Sequence, residues 1–218
     1  MKLGAVLNLA IHDFNAHGSN FVLDAVTAFR LVITQYRPMA GSTFVPTPPR
    51  ITKKKAVVNV QNNDNRCFLW AILSCLYPSK NNPCKVCSYT KYQNRLNFDN
   101  IAFPVQTKDI PKFGKQNPSI SVNIMSLDPE NDGYCVEYMS SERNREHHVN
   151  LLLLDDPESQ TSHYIWINNF RRLLHNRTKY EGTSFVCNSC MNVLSSQRVL
   201  DDHMPNCMQH APQQVVWR

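Results

Sequence analysis

The chain has 218 residues, of which 42% are hydrophobic and 18% charged, with a formal net charge of +6. This composition excludes a disordered chain, and the length suffices for a core that needs no disulfides. The eight cysteines are too dilute for a small secreted disulfide scaffold, and no apolar run approaches the ~20 residues that a membrane span requires.

The basic excess is concentrated near the start. Residues 1–60 hold seven Lys/Arg against two Asp, which is +5 of the +6. Such an excess suits contact with nucleic acid or an acidic partner. The opening LGAVLNLAI is short, contains Asn8 and lacks a small-residue cleavage pattern, so it reads as an opening strand or a fragment boundary rather than a signal peptide. FVLDAVTAFRLVITQYR, 21–37, is amphipathic, with a helical first half and a strand-like second half. The prolines of RPMAGSTFVPTPPR then break regular structure and close an N-terminal basic segment, 1–50.

A core domain is expected over 51–180. KKK, 53–55, precedes a short strand, AVVNV. The polar turn NNDNR leads into the apolar helix CFLWAILSCL, taken to start at Asp64 as N-cap. SYTKYQNRLNF, 88–98, reads as a surface helix and DIPKFGKQNP, 109–118, as a loop. SISVNIMSL, GYCVEYMS, HHVNLLLLDD and SHYIWIN read as strands, and NFRRLLHNRTKY, 169–180, as a basic helix. The order of elements predicts an α+β fold, an apolar helix on a mainly antiparallel sheet, and not an alternating doubly wound one.

The strongest signal lies at 183–210. Cys187, Cys190, His203 and Cys207 form Cys-x2-Cys-x12-His-x3-Cys, the ligand spacing of one structural Zn2+. The two knuckle thiolates converge on one ion, and a helical His-x3-Cys supplies the other two ligands one turn apart. Phe185, Leu194 and Leu200 sit where a ββα finger needs its small core. Such a module holds no core without metal, so binding and folding are one event. The positions that would read bases are Ser196, Val199 and Asp202, and the acidic pair Asp201 and Asp202 would repel phosphates. The pattern therefore favours a structural or protein-contact finger. Arg171, Arg172, Arg177 and Lys179, just before it, are candidates to track a nucleic-acid backbone. The second Cys-x2-Cys, Cys84 and Cys87, lacks a matching ligand pair unless Cys75, Cys135, His147 or His148 is recruited by folding.

Cys67 in the first turn of its helix is a candidate nucleophile, because the helix dipole and Arg66 would favour the thiolate. Its base would come from elsewhere: His163, with His147 and His148 as runners-up and Asn168 or Asn169 as orienting residues. Asp64-x-x-Cys67, an apolar helix and a late His163-Tyr resemble the ovarian-tumour class of cysteine proteases, which share a papain-like core. That resemblance implies Cys67 as nucleophile, His163 as base, and backbone near Asp64 in the oxyanion hole, with a ubiquitin-like partner. Asn65 stands where that family usually has Gly, and Ile165 where it often has Asn or Asp.

From about Gly18 the order of segments, above all RLNFDNIAFPV and DIPKFGKQNPSISVNI with the cysteine helix, is similar to the region upstream of the protein-primed B-family DNA polymerases of Maverick/Polinton elements and adintoviruses. This resemblance implies a mobile-element or viral origin and a role beside DNA replication. It does not imply polymerase activity in this chain. The expected function is a zinc-finger module that binds nucleic acid or a protein partner, such as a polymerase region, inside the cell in nucleus or cytoplasm and with no membrane. A thiol hydrolase and a domesticated, non-functional fragment are the alternatives.

Overall fold

A computed structural model describes residues 43–128, 133–142, 145–156, 159, 161–174, 185–209 and 216–217, all within the unit Pro38–Arg218. The expected opening strand, the segment 21–37, Arg177 and Lys179 lie outside the described residues. In chain order the elements are α1 (Pro49–Thr52), β1 (Val57–Val58), α2 (Cys67–Leu76), α3 (Ile110–Gln116), β2 (Ile120–Leu127), β3 (Tyr134–Tyr138), β4 (His147–Asp156) and β5 (Thr161–Ile167). They continue with α4 (Phe170–Leu174), β6 (Phe185–Val186), β7 (Val193–Leu194), α5 (Gln197–Gln209) and β8 (Val216–Trp217).

The main sheet has six strands in the order β1-β5-β4-β2-β3-β8. Its pairings are antiparallel except β2 with β4, where Asn123 faces Asn150 and Ile124 faces Leu151. The fold is thus α+β with a mainly antiparallel sheet. β2 and β4 are buried along most of their length because they are central and covered on both faces.

Side chains alternate across a strand, so each central strand feeds two cores. Val122, Ile124, Leu151 and Leu153 face α2 and α3, meeting Cys67, Phe68, Ile72, Ile110 and Phe113. Met125, Leu152, Leu154, Ile165 and Ile167 face the other way. There they meet Ile51 of α1, Leu173 and Leu174 of α4, and Met191 and Val193 near the C-terminus. A third cluster joins Leu69, Trp70 and Leu73 of α2 to Val58, Val60 and Tyr89.

Three expectations are corrected. The segment 109–118 is not a loop throughout, since α3 occupies Ile110–Gln116. Pro111 sits in its first turn, where a missing N–H costs nothing, and Ile110 and Phe113 are buried. The surface helix expected at 88–98 is instead two 3-10 turns, Val86–Ser88 and Thr90–Arg95. The helix of Cys67 does not start at Asp64. Asp64 accepts the Arg66 N–H at 2.9 Å and the Trp70 Nε1–H at 3.1 Å, and Asn62 Nδ2 donates to it at 2.9 Å. Those bonds form a turn before the helix, and Arg66 takes the N-cap position with no side-chain cap.

Phe68 marks the centre of the first core. Its ring meets Phe98, Phe113 and Tyr164 edge to face, with centroids 6.2, 5.2 and 5.3 Å away. Phe68→Ala is expected to lower unfolding free energy by about 3–5 kcal/mol in urea denaturation. A loss below about 1 kcal/mol would show that this cluster does not organise the core.

Candidate metal centre

The residues after α4 form a small module. β6 and β7 pair antiparallel, Phe185 opposite Leu194 and Val186 opposite Val193. Between them the chain closes a tight knuckle. The Cys187 N–H donates to the Asn192 carbonyl at 2.9 Å, and the Met191 N–H donates to the Cys187 carbonyl at 2.7 Å. Met191 takes a φ of 61°, in the left-handed region that reverses the chain there. On α5, His203 and Cys207 are four residues apart and so share one face.

These elements bring four ligand atoms together. The Cys187, Cys190 and Cys207 sulfurs and a His203 ring nitrogen all lie within 4.8 Å of one another. Cys187 and Cys207 Sγ are 3.8 Å apart, and Cys190 Sγ is 3.2 Å from His203 Nε2. The Cys190 thiol hydrogen-bonds to Cys187 and pulls the Cys187 pKa down to about 4, while Cys190 is pushed up. A bound cation would take the place of the proton that these thiols share. The four residues could hold one metal ion.

The knuckle is joined to the main sheet by three asparagines. Asn123 on β2 and Asn150 on β4 are register partners, both buried, and Asn123 Nδ2 donates to Asn150 Oδ1 at 3.0 Å. Asn188 lies in the knuckle between Cys187 and Cys190. Its backbone carbonyl accepts from Asn123 Nδ2 at 2.8 Å, and its Oδ1 accepts from Asn150 Nδ2 at 3.0 Å. The remaining acceptor of Asn123, Oδ1, takes the Ser140 N–H at 3.0 Å. Buried amides satisfied in this way specify a register, because any slip would strand them. Met191 and Val193 add apolar contact to the same face. These asparagines were not anticipated as functional, although an Asn inside each of two apolar strand runs is the signal that marks them.

Cys67 and His163 are not brought together. Cys67 is the first residue of α2, as a nucleophile would require, but it is only 1% exposed. Its sulfur receives the Tyr164 backbone N–H at 3.5 Å. Burial pushes its pKa up to about 12, so the thiol holds its proton at neutral pH. Tyr164 points into the α2 core with Phe68, and alternation sends His163 to the opposite face of β5. There the His163 Nε2–H donates to Asn59 Oδ1 at 2.8 Å, and Phe44 packs edge-on at 5.8 Å. Asn59 in turn donates to the Val45 carbonyl and Thr47 Oγ1, both at 2.9 Å. His163 thus fastens the segment 44–47 to the sheet.

The other candidates are dispersed. His147 is exposed at the start of β4, 3.6 Å from a Glu146 oxygen. His148 Nδ1 lies 2.6 Å from the Ser121 hydroxyl. Asn169 Oδ1 accepts the Arg172 N–H at 2.9 Å and starts α4 rather than orienting an imidazole. Among the described residues, Cys84 and Cys87 belong to no group of three or more metal-type ligands. Val199 and Asp202 are exposed on α5, and Ser196 Oγ accepts the Val199 N–H at 3.2 Å. Arg171 and Arg172 are exposed on α4. Among the described residues no helix is long and apolar enough to cross a membrane. No protein-family model matches the chain, and no curated protein or solved structure matches it.

Burial of the His163 ring drives its pKa from the ordinary 6.5 down to about 4, against a smaller opposing pull from the backbone of Thr43 and Val60. The unfolded chain therefore binds the proton first as pH falls. Stability from this residue is complete above pH ~6.5 and is lost toward pH ~4, by an amount on the order of 3 kcal/mol. Denaturant titrations across this range should show that loss in the native chain and a flatter profile in His163→Gln, which keeps a donor for Asn59. Identical profiles would remove His163 as the acid-sensitive group.

Proposed function

We propose that this chain is a non-catalytic binding module whose C-terminal ββα finger holds one structural zinc ion. The observation that carries this reading is the docked knuckle. Its ligand loop is bonded through Asn188 to the two central strands, so the metal site and the sheet form one body. The donor set of three thiols and one imidazole suits zinc rather than a hard cation. A zinc tetrahedron with Zn–S bonds of about 2.3 Å has sulfur–sulfur edges of about 3.75 Å, and Cys187 and Cys207 stand 3.8 Å apart. A closed four-ligand shell of this kind supplies folding energy and leaves no position for a substrate.

The partner side of the reading is nucleic acid or a protein beside a replication machinery of mobile-element type, as the order of segments suggests. Charge supports contact with a polyanion, since +5 of the net +6 lies in residues 1–60. The thiol-hydrolase alternative gains no support from a protonated, buried Cys67 and a His163 on the far face of the sheet.

Metal analysis of the purified chain should find one zinc per molecule. Cys190→Ser and His203→Ala should each lose it, and chelation should lower the single thermal transition of the whole module. A chain that takes up no zinc on refolding with the metal, or that keeps it in both variants, would overturn the reading.

A further inference from the structure

Two basic segments that are far apart in sequence meet in the fold. The Asn168 and Asn169 N–H groups both donate to the Ala56 carbonyl, at 3.0 and 3.2 Å, and Val57 pairs with Ile167. Lys54 crosses this seam. Its Nζ donates to the Leu173 carbonyl at the end of α4 and lies 5.7 Å over the Tyr134 ring. The turn leaving α1 is thereby laced to α4. Lys53 and Lys55 flank Lys54 on one side of the seam, Arg171 and Arg172 lie on the other, and all four are exposed. No Asp or Glu occurs in residues 43–63 or 168–174.

We infer that Lys53, Lys55, Arg171 and Arg172 form one cationic surface that takes the phosphate backbone of a nucleic acid. The inference deepens the binding-module reading above and rests on it. Helix-end capping accounts for Lys54, whose head is engaged inside the seam, but not for the two lysines beside it. Phosphate contacts are made by Lys, Arg and amide groups, and exposed Asn168 adds an amide to the same seam. A bilayer would ask for an apolar wedge among the cations, and no large apolar side chain of 50–55 or 168–174 is exposed. Contacts of this kind neutralise phosphates, so the surface binds by charge and without sequence preference.

The test uses the full chain loaded with zinc, and a fluorescently labelled oligonucleotide of about 20 nucleotides, single-stranded or duplex, titrated between about 50 and 200 mM salt. Binding should weaken steeply with salt. Lys53→Ala/Lys55→Ala and Arg171→Ala/Arg172→Ala should each weaken it about tenfold for every sequence and flatten the log–log salt slope by about 1–2, with zinc content unchanged. An unaltered affinity and slope in the lysine pair would overturn the joint surface, even if the arginine pair weakens. So would preferential binding to phosphatidylserine vesicles, or a preference for an acidic peptide over the oligonucleotide. Because zinc content is read in the same samples, a zinc-loaded chain that ignores the oligonucleotide sinks this surface alone.

Discussion

The central pair of strands, β2 and β4, is buried on both faces, and much else in the molecule follows from that. A half-buried sheet needs one apolar face. This one needs two covers, because Ile124 and Leu151 point one way while Met125 and Leu152 point the other. α2 and α3 cover the first face. Among the described residues the second is covered by two short helices, α1 of four residues and α4 of five, together with the C-terminal module. The module is therefore part of the sheet's packing and not an appended arm. Its knuckle meets Asn123 and Asn150, where an apolar cover would remove the acceptors that Asn188 offers to the Nδ2 groups of both.

The same alternation decides the chemistry of Cys67 and His163. Both have the neighbourhood that their sequence contexts suggest, one at a helix start and one near the start of a strand. Yet Tyr164, adjacent to His163, is the residue that touches the Cys67 sulfur, and adjacent strand residues face opposite ways. Each group then finds a structural partner in its own core. Desolvation moves the thiol up and the imidazole down, so each is neutral at physiological pH and neither activates the other.

The sequence made β1 to β5 legible because their apolar runs announced them, and their bounds in the fold fall within a residue or two of those runs. The ligand spacing at 187–207 was legible for a similar reason, since it encodes local geometry. α3 was hidden because Pro111 and Gly114 suggest a loop, and only the burial of Ile110 and Phe113 by the sheet makes it a helix. The start of α2 was misplaced because Asp64 has two competing local roles, cap and turn acceptor, and Trp70 and Asn62 settle the choice. Long-range pairings left almost no trace. Nothing local in Lys53–Lys55 points to Arg171, and nothing in Asn188 points to Asn123, because both depend on which strands become neighbours.

The central claim is that metal, knuckle and sheet are one cooperative unit joined through Asn188. Hydrogen exchange before and after zinc chelation tests it most directly. The account predicts faster exchange at 121–126 and 148–153 together with 185–209, since removing the cover exposes the central strands to opening. Faster exchange confined to 185–209, with β2 and β4 as protected as before, would contradict it.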